Sequence, residues 1–108
     1  MYAMIRRYEG VTDASEAARL VRKSFVPLIS KIHGLAAYYV IDTGDGEFIS
    51  VSIFRDKLTA EESNRRASGW VQENIAALLP NPPQIAAGEV VATKRGALMA
   101  STKSPEID

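Results

Sequence analysis

Residues 35–55 read LAAYYVIDTGDGEFISVSIFR, and this stretch decides the fold. Two β-rich runs flank Thr43-Gly44-Asp45-Gly46, and a Gly-Asp-Gly turn between two such runs is typical of an antiparallel hairpin. Both faces of each run carry large apolar or aromatic side chains. Because a one-sided antiparallel sheet leaves its other face polar and solvated, the sequence predicts a sheet that is covered on both sides.

Alternation along each run predicts which hairpin side chains share a face. The first run divides into Leu35, Ala37, Tyr39 and Ile41 on one face and Ala36, Tyr38 and Val40 on the other. The second run divides into Ile49, Val51 and Ile53 on one face and Phe48, Ser50, Ser52 and Phe54 on the other. The adjacent Tyr38 and Tyr39 therefore point to opposite faces, and alternation leaves open which of them faces the helices.

Two further strands are predicted by alternation, over Tyr2–Glu9 and over residues 84–94. The first of them carries adjacent arginines, Arg6 and Arg7, so one arginine points toward the helices and the other away from them. An arginine enclosed there would want a carboxylate partner, from this chain or from a ligand. The alternative is that these arginines are solvated charges or form ion pairs at the rim of the domain.

The first helix is predicted to begin at residues 13–15 and to run to about Ile32. Pro27 lies within its apolar pattern and predicts a kink, because proline removes a backbone donor and clashes with the preceding turn. Gly34 is the expected residue just beyond the helix, and His33 is expected in the last turn.

The second helix is predicted to begin at Thr59, where Thr59 and Glu62 match the Thr-x-x-Glu capping box. It is expected to run to about Leu79, and Pro80 stops it. Its apolar stripe, with Trp70 beside it, consists of Ala60, Asn64, Ala67, Val71, Ile75 and Leu78.

The element order is therefore β-α-β-β-α-β. It predicts an α+β domain with the ferredoxin-like fold, in which a four-stranded antiparallel sheet carries both helices on one face. The domain is expected to occupy residues 1–94. Residues 95–108 are expected to be a C-terminal tail that is flexible or packs locally on a partner.

Composition excludes several classes of function. The chain has 108 residues, which predicts one domain, and its 13 basic residues balance 13 acidic ones, so no net field attracts nucleic acid or an anionic membrane. It has no cysteine, which excludes disulfides, thiolate catalysis and Cys-based zinc sites. No run approaches the ~20 apolar residues of a membrane-spanning helix, and no signal peptide is recognisable, so a cytoplasmic protein is expected.

Helices on one face leave the other face of the sheet bare, with bulky apolar side chains on it. An exposed apolar face marks an interaction surface. The simplest closed arrangement is a two-fold homodimer in which the bare faces meet. The alternative is a monomer whose open face tolerates some exposed tyrosine and isoleucine.

Four local strings carry a resemblance to a known superfamily. They are the run from His33-Gly34 to Tyr39, the turn Gly44-Asp45-Gly46, the triplet 52–54 (Ser-Ile-Phe) and the helix from Glu61 to Val71. The pattern resembles the dimeric α/β-barrel superfamily, in particular antibiotic-biosynthesis-monooxygenase-like domains, over residues 1 to about 94. The resemblance implies a homodimer whose sheets join face to face, with a ligand cavity between sheet and helices in each protomer.

The activities of that superfamily include haem degradation and cofactor-free oxidation of aromatic compounds to quinones. The haem-degrading relatives use an asparagine on the first strand with a tryptophan and a haem-binding histidine from the second-helix region. Here Tyr2–Glu9 contains no asparagine and the single histidine is His33, so haem degradation is not expected. For a cofactor-free enzyme, an amide, an indole and a phenol lining one pocket would serve, and here these would be Asn64, Trp70 and either Tyr38 or Tyr39.

Each of these candidate catalytic residues also has an ordinary structural use. Asn64 on the apolar stripe can bond strand backbone or a helix end, and Trp70 can be plain packing. Asn64 and Trp70 are six residues apart, so their directions differ by ~120° and they can flank a pocket without stacking. His33, the only histidine, is a candidate base or a partner of the helix C-terminus.

The leading hypothesis is a small-molecule-binding homodimer that works as a monooxygenase on an aromatic or quinone-like compound, with no metal or organic cofactor. One alternative is a non-catalytic ligand-binding or stress-response dimer, and another is a purely structural dimer with a filled core. A pocket of a few hundred Å³ between helices and sheet, with Asn64 or a tyrosine hydroxyl pointing inward, would favour the enzyme or the binder. A space filled by Trp70, Phe25 and Met4 would count against both.

Overall fold

The structure is a computed structural model that describes residues 1–94, so the predicted tail over residues 95–108 lies outside the described residues. One antiparallel sheet, in the order β2-β3-β1-β4, consists of β1 (Tyr2–Glu9), β2 (Leu35–Asp42), β3 (Glu47–Phe54) and β4 (Gln84–Glu89). The helical segments are α1 (Ala14–Leu20), the π-helical segment Val21–Phe25, α2 (Val26–Ile29) and α3 (Lys57–Asn74). The predicted ferredoxin-like α+β fold is confirmed.

The helix-facing side of the sheet is marked by β3, in which burial alternates from residue to residue. Its buried side chains are Phe48, Ser50, Ser52 and Phe54, and the residues between them are half-buried on the open side. The larger core cluster packs Phe25 and Ile29 of the first helical stretch with Phe48 and Ile75. The described residues contain no helix that is long and apolar enough to cross a membrane.

A β-bulge at Ala36 changes the face that Leu35 occupies. Leu35 pairs with Phe54, whereas Ala37 already pairs with Ile53, so Ala36 has no cross-strand partner of its own. Leu35 therefore lies on the helix-facing side and packs against the core. The predicted grouping of Leu35 with Ala37, Tyr39 and Ile41 is wrong, because one extra residue reverses the phase of alternation.

The first helical stretch widens into a π-helical turn just before Pro27. The Val26 N–H donates to the Val21 carbonyl, five residues back. Pro27 has no N–H with which to continue the α-helical ladder, and the upstream residues accommodate this with the wider turn. The stretch ends at Ile29 rather than at Ile32, so His33 lies exposed in the connection to β2 and not in a helical turn.

Gly34 holds the junction between this connection and the sheet. Its φ is +90°, in the left-handed region, and a Cβ there would lie 3.2 Å from the Thr59 side chain. The Gly34 carbonyl accepts a hydrogen bond of 2.7 Å from the Arg55 N–H. The prediction that Gly34 is the residue just beyond the helix is wrong, because the helical stretch ends at Ile29 with Ser30 as its C-cap. The positive φ of Gly34 serves the junction with β2 instead.

The α3 helix begins two residues before the predicted start. Asp56 is its N-cap, and the Asp56 carboxylate accepts hydrogen bonds from the Thr59 N–H at 2.9 Å and the Thr59 hydroxyl at 2.7 Å. The predicted capping box is wrong, since Glu62 pairs with Arg65 and Arg66 instead. An ionised carboxylate is a stronger acceptor than a hydroxyl, so the cap lies at Asp56.

Both α3 and β4 end earlier than predicted. The backbone leaves the helical region at Ile75, where φ is −136°, and turns follow toward Pro80. The β4 strand ends at Glu89 because its partner β1 begins at Tyr2, which already pairs with Glu89. A strand at the edge of a sheet cannot extend beyond the strand that it pairs with.

Candidate functional site

A small cavity of ≈ 40 Å³, here called the inner cavity, lies between the sheet and the helical layer. Its polar lining consists of Arg6, Tyr8, Tyr38 and Ser50, and its other walls are apolar or aromatic. A space of this size holds a water or a diatomic molecule, and it is well below the ~300 Å³ of typical ligand pockets.

Three aromatic side chains account for the small size of the inner cavity. The Phe25 ring centre lies 5.1 Å from that of Trp70 and 5.5 Å from that of Tyr38, with the ring planes tilted by 51° and 58°. Tilted pairs of this kind are the favourable arrangement for aromatic rings. Two predicted site residues, Trp70 and Tyr38, thus reach the same cavity, and Phe25 packs against both.

The two adjacent tyrosines are separated by the sheet. Tyr38 lines the inner cavity, whereas Tyr39 lies on the open face with 48% of its surface exposed. Burial raises the pKa of the Tyr38 hydroxyl well above its ordinary value, and this hydroxyl stays protonated as a potential donor. Of the two predicted phenol donors, the structure brings only Tyr38 to the cavity.

Arg6 is the charged residue at the centre of the site, and only 4% of its surface is exposed. Its Nη2 atom donates to the Asn64 side-chain oxygen and to the Met4 sulfur, the latter at 3.2 Å. Within residues 1–94 no carboxylate forms an ion pair with Arg6. Burial lowers the pKa of the guanidinium, an effect that the nearby Tyr8 and Tyr38 oppose.

Asn64 reaches the site through Arg6. Its side-chain oxygen accepts from Arg6, and Asn64 is not among the residues that line the cavity. This contact ties α3 to β1 and orients the guanidinium, so the geometry gives Asn64 a positioning role. The Asn64 amide, which was predicted to contact the substrate, therefore lies behind Arg6 and does not line the cavity.

A larger space of ≈ 310 Å³, the outer cavity, adjoins the inner one at the end of α3. Four residues line both cavities, namely Arg6, Tyr8, Val71 and Leu79. The outer cavity continues past α3 to a rim that consists of Pro80, Asn81, Pro82 and Pro83, with Ile85 of β4 beyond it. Its volume matches the lower end of small-molecule pockets, which begin at ~300 Å³.

The rim of the outer cavity is held to the other end of the chain by hydrogen bonds. The Asn81 amide donates to the Glu9 carbonyl at 3.0 Å, and the Thr12 N–H donates to the Leu78 carbonyl at 3.1 Å. Three prolines with fixed φ angles stiffen the same segment. The cavity wall is therefore formed in advance of any ligand, which lowers the entropic cost of binding.

Tyr8 stands between the two cavities with its hydroxyl unused. The hydroxyls of Tyr8 and Tyr38 form no hydrogen bond with another described residue. Burial raises the pKa of Tyr8, and the positive charge of Arg6 opposes that shift. The site therefore offers two neutral phenol donors beside one cation.

His33, the remaining candidate, lines neither cavity. It lies exposed in the connection between α2 and β2, so the structure does not bring it to the other candidates. Among the described residues no group of three or more His, Cys, Asp and Glu side chains is arranged to hold a metal ion.

Sequence reasoning left open whether Arg6 or Arg7 is enclosed with a ligand, and it did not select Tyr8 or the proline rim as parts of a site. One signal for Arg6 was present, because a charged residue that alternates with Met4 and Tyr8 on one face of a strand has to be enclosed with them. The outer cavity left no such signal, since it forms between segments that are about 60 residues apart in the chain.

No protein-family model matches this chain, and no curated protein matches it. Solved structures match it over most of its length. A protein of unknown function from Nitrosomonas europaea is similar with 25% identity and a TM-score of 0.70, over 89% of this chain and 94% of that one.

Two further similar structures carry the name of a monooxygenase. A monooxygenase from Streptomyces coelicolor, solved in complex with nanaomycin D, has 16% identity and a TM-score of 0.65, over 89% of this chain and 88% of that one. A candidate antibiotic biosynthesis monooxygenase from Nitrosomonas europaea has 14% identity and a TM-score of 0.69, over 85% of this chain and 100% of that one. The chain therefore has an antibiotic-biosynthesis-monooxygenase-like fold, which confirms the resemblance found in the sequence.

Proposed function

We propose that this chain, with its antibiotic-biosynthesis-monooxygenase-like fold, binds a small aromatic molecule in the outer cavity and oxidises it without a cofactor. One observation carries the proposal. A buried cation, Arg6, and two partly buried phenols, Tyr8 and Tyr38, face two adjoining cavities whose other walls are mostly apolar or aromatic. Convergent polar groups in an apolar pocket are the usual signature of a binding or active site.

The proposed reaction needs no external reductant. A phenolic ring and one O₂ give a quinone and one water, so the ring supplies all four electrons and one oxygen atom enters it. The protein has to hold the ring, stabilise the phenolate oxygen that reacts and keep bulk water away. With the ring in the outer cavity, its phenolate oxygen would point into the inner cavity, where the Tyr38 hydroxyl would donate to it and Trp70 would form part of the wall. The inner cavity, at ≈ 40 Å³, has room for O₂ beside the ring.

Oxygen consumption tests this function. A panel of dihydroxyaromatic compounds is incubated with the protein, and the rate of O₂ uptake is compared with that of each compound alone. We expect wild type to accelerate uptake, with one O₂ consumed and one water formed per hydroxyquinone, and with no H₂O₂ released, since H₂O₂ would mark two-electron oxidation without oxygen insertion. Loss of an oxyanion donor costs about 10²–10³ in rate, so Tyr38→Phe should be strongly impaired.

The matched control is Tyr39→Phe, which removes a hydroxyl from the opposite face of the same strand and should leave the rate unchanged. A second comparison uses a variant with both Asn64→Ala and Trp70→Ala. Oxygen uptake no faster with wild type than with this double variant would count against monooxygenation.

A non-catalytic ligand-binding dimer, such as a stress-response protein, is the second candidate. It is favoured by the inner cavity, in which Phe25 packs against Trp70 and Tyr38 and leaves no space for a ring beside them. Ligand binding without any acceleration of O₂ uptake would select this function over the enzyme.

We also propose that two copies of the chain pair through the open face of the sheet. One cross-strand row on that face consists of Tyr39, Val51, Ile5 and Ala86, and Ile41 pairs with Ile49 beside it. Tyr39, Ile41 and Ile5 each expose more than 40% of their surface. Burying such rows against a second copy is the simplest way to remove them from water. The cytoplasmic location expected from the sequence stays a prediction.

A further inference from the structure

The guanidinium of Arg6 is a buried positive charge without an acidic partner in the part of the chain that the structure describes. Burying an unpaired charge costs several kcal/mol even after relaxation. Its neighbour Arg7 shows the ordinary arrangement, since it lies on the other face of β1 and pairs with Glu9 and Glu47. Residues 1–94 thus leave Arg6 with an uncompensated charge inside the site.

Arg6 also has hydrogen-bond donors to spare. Both of its hydrogen bonds leave from Nη2, which has two N–H groups, so the three N–H groups on Nε and Nη1 have no described protein acceptor. The fully buried side-chain atoms that lack a partner belong to Ser52 and Ser63, within residues 1–94. The unused nitrogens of Arg6 are therefore accessible from the cavities that Arg6 lines.

The outer cavity has the charge balance of a site for one anion. Arg6 is the charged residue of its lining, and Ser68, Gln72 and Asn81 are its neutral polar members. Much of the remaining wall is apolar, with Val71, Leu79 and three prolines. Such a wall accepts a ligand with one charged end and an apolar body, and it disfavours a strongly hydrated dianion such as phosphate.

We infer that the outer cavity binds a small carboxylate with an apolar body, whose carboxylate group lies against Arg6 and Tyr8. This inference rests on the proposed function and names its ligand class. Three free N–H groups and the Tyr8 hydroxyl offer four donors, which matches the four lone-pair sites of a carboxylate. A carboxylate is ionised at neutral pH, whereas an ordinary phenol with a pKa near 10 is not.

Calorimetric titration of the full-length protein with sodium benzoate and with benzamide tests the inference. The two probes have the same ring and nearly the same shape, and only benzoate carries a charge. Since hydrogen bonds to charged groups are worth more than neutral ones, we expect benzoate to bind at least 10-fold more tightly. Equal affinities in wild type would overturn the inference, whatever the behaviour of any variant.

Two variants test whether the charge of Arg6 is responsible for benzoate binding. Arg6→Met keeps the length and apolar character of the side chain, and it should weaken benzoate binding by about 10- to 100-fold while leaving benzamide binding unchanged. Arg7→Met is the matched control, an arginine on the same strand that faces away from the cavity, and it should bind benzoate as wild type does. Undiminished benzoate binding by Arg6→Met would overturn the inference.

A third probe, 4-nitrophenolate, separates this inference from the proposed reaction. Binding of 4-nitrophenolate with no binding of benzoate would assign Arg6 to the phenolate and overturn the carboxylate. Benzoate itself has no hydroxyl to oxidise, so its binding does not depend on oxygen chemistry. Benzoate binding without O₂ uptake on dihydroxyaromatics would support the carboxylate site and contradict the monooxygenase.

Discussion

Arg6 shows how a single residue links stability to function in this molecule. It lies on the helix-facing side of β1, where its neighbours on the same face are Met4 and Tyr8. A hydrophobic side chain at this position would fit the layer better than a guanidinium does. We therefore expect the retained charge to weaken the fold of the free protein and a bound anion to offset that weakness.

We predict that Arg6→Met raises the free energy of unfolding by about 1–2 kcal/mol, because it removes a buried charge that has no acidic partner among residues 1–94. The gain is limited by the Asn64 oxygen, which loses its donor. Urea unfolding followed by far-UV circular dichroism measures the change. Arg7→Met serves as the control and should stay within about 0.5 kcal/mol of wild type. A destabilised Arg6→Met would mean that the guanidinium contributes to the core.

At the scale of the element, the start of α3 depends on a carboxylate. Hydrogen bonds from the Thr59 N–H and from its hydroxyl lower the pKa of Asp56 below its ordinary value. A carboxyl whose pKa is lower in the folded than in the unfolded chain stabilises the fold above the unfolded pKa, and this stability is lost as pH falls through the folded pKa.

We predict that Asp56→Ala lowers the melting temperature at pH 7 and that its difference from wild type shrinks as pH falls below about 4. Thermal unfolding at a series of pH values measures both effects. Glu61→Ala on the exposed face of the same helix is the control, and it should show neither the loss nor its pH dependence. A pH-independent difference for Asp56→Ala would show that the carboxylate charge does not matter at the cap.

At the scale of the whole molecule, the open face of the sheet is the feature that the single chain leaves incomplete. Its middle row runs across all four strands, from Tyr39 through Val51 and Ile5 to Ala86. A row of this kind is more than the singly exposed apolar residues that are normal on a protein surface.

We predict that Val51→Asp, which places a charge at the centre of this face, converts a dimer into an 11.8 kDa monomer. Sedimentation at low micromolar concentration measures the change. Leu58→Asp is the control, since Leu58 is an exposed apolar residue at the start of α3, and it should remain dimeric. An 11.8 kDa species in wild type would contradict pairing through the sheet altogether.

The sequence by itself determined the element order, the hairpin turn and the alternating faces of β3. These features depend on near neighbours in the chain, so turn residues and periodicity are enough to predict them. Gly44 and Gly46, in the turn of the hairpin, both have positive φ. The strand Tyr2–Glu9 has the predicted bounds. Trp70 and Tyr38, two of the candidates named from the sequence, line one cavity, and their catalytic roles stay predictions.

Only the tertiary structure decided how those elements meet. The bulge at Ala36 moved Leu35 into the core, β4 stopped where β1 had no further residue to pair with, and Tyr38 rather than Tyr39 faced the helices. The outer cavity needs β1, the end of α3 and the proline rim together. Local periodicity cannot predict a space between segments that are distant in the chain, because the volume of that space and the burial of Arg6 depend on how those segments pack.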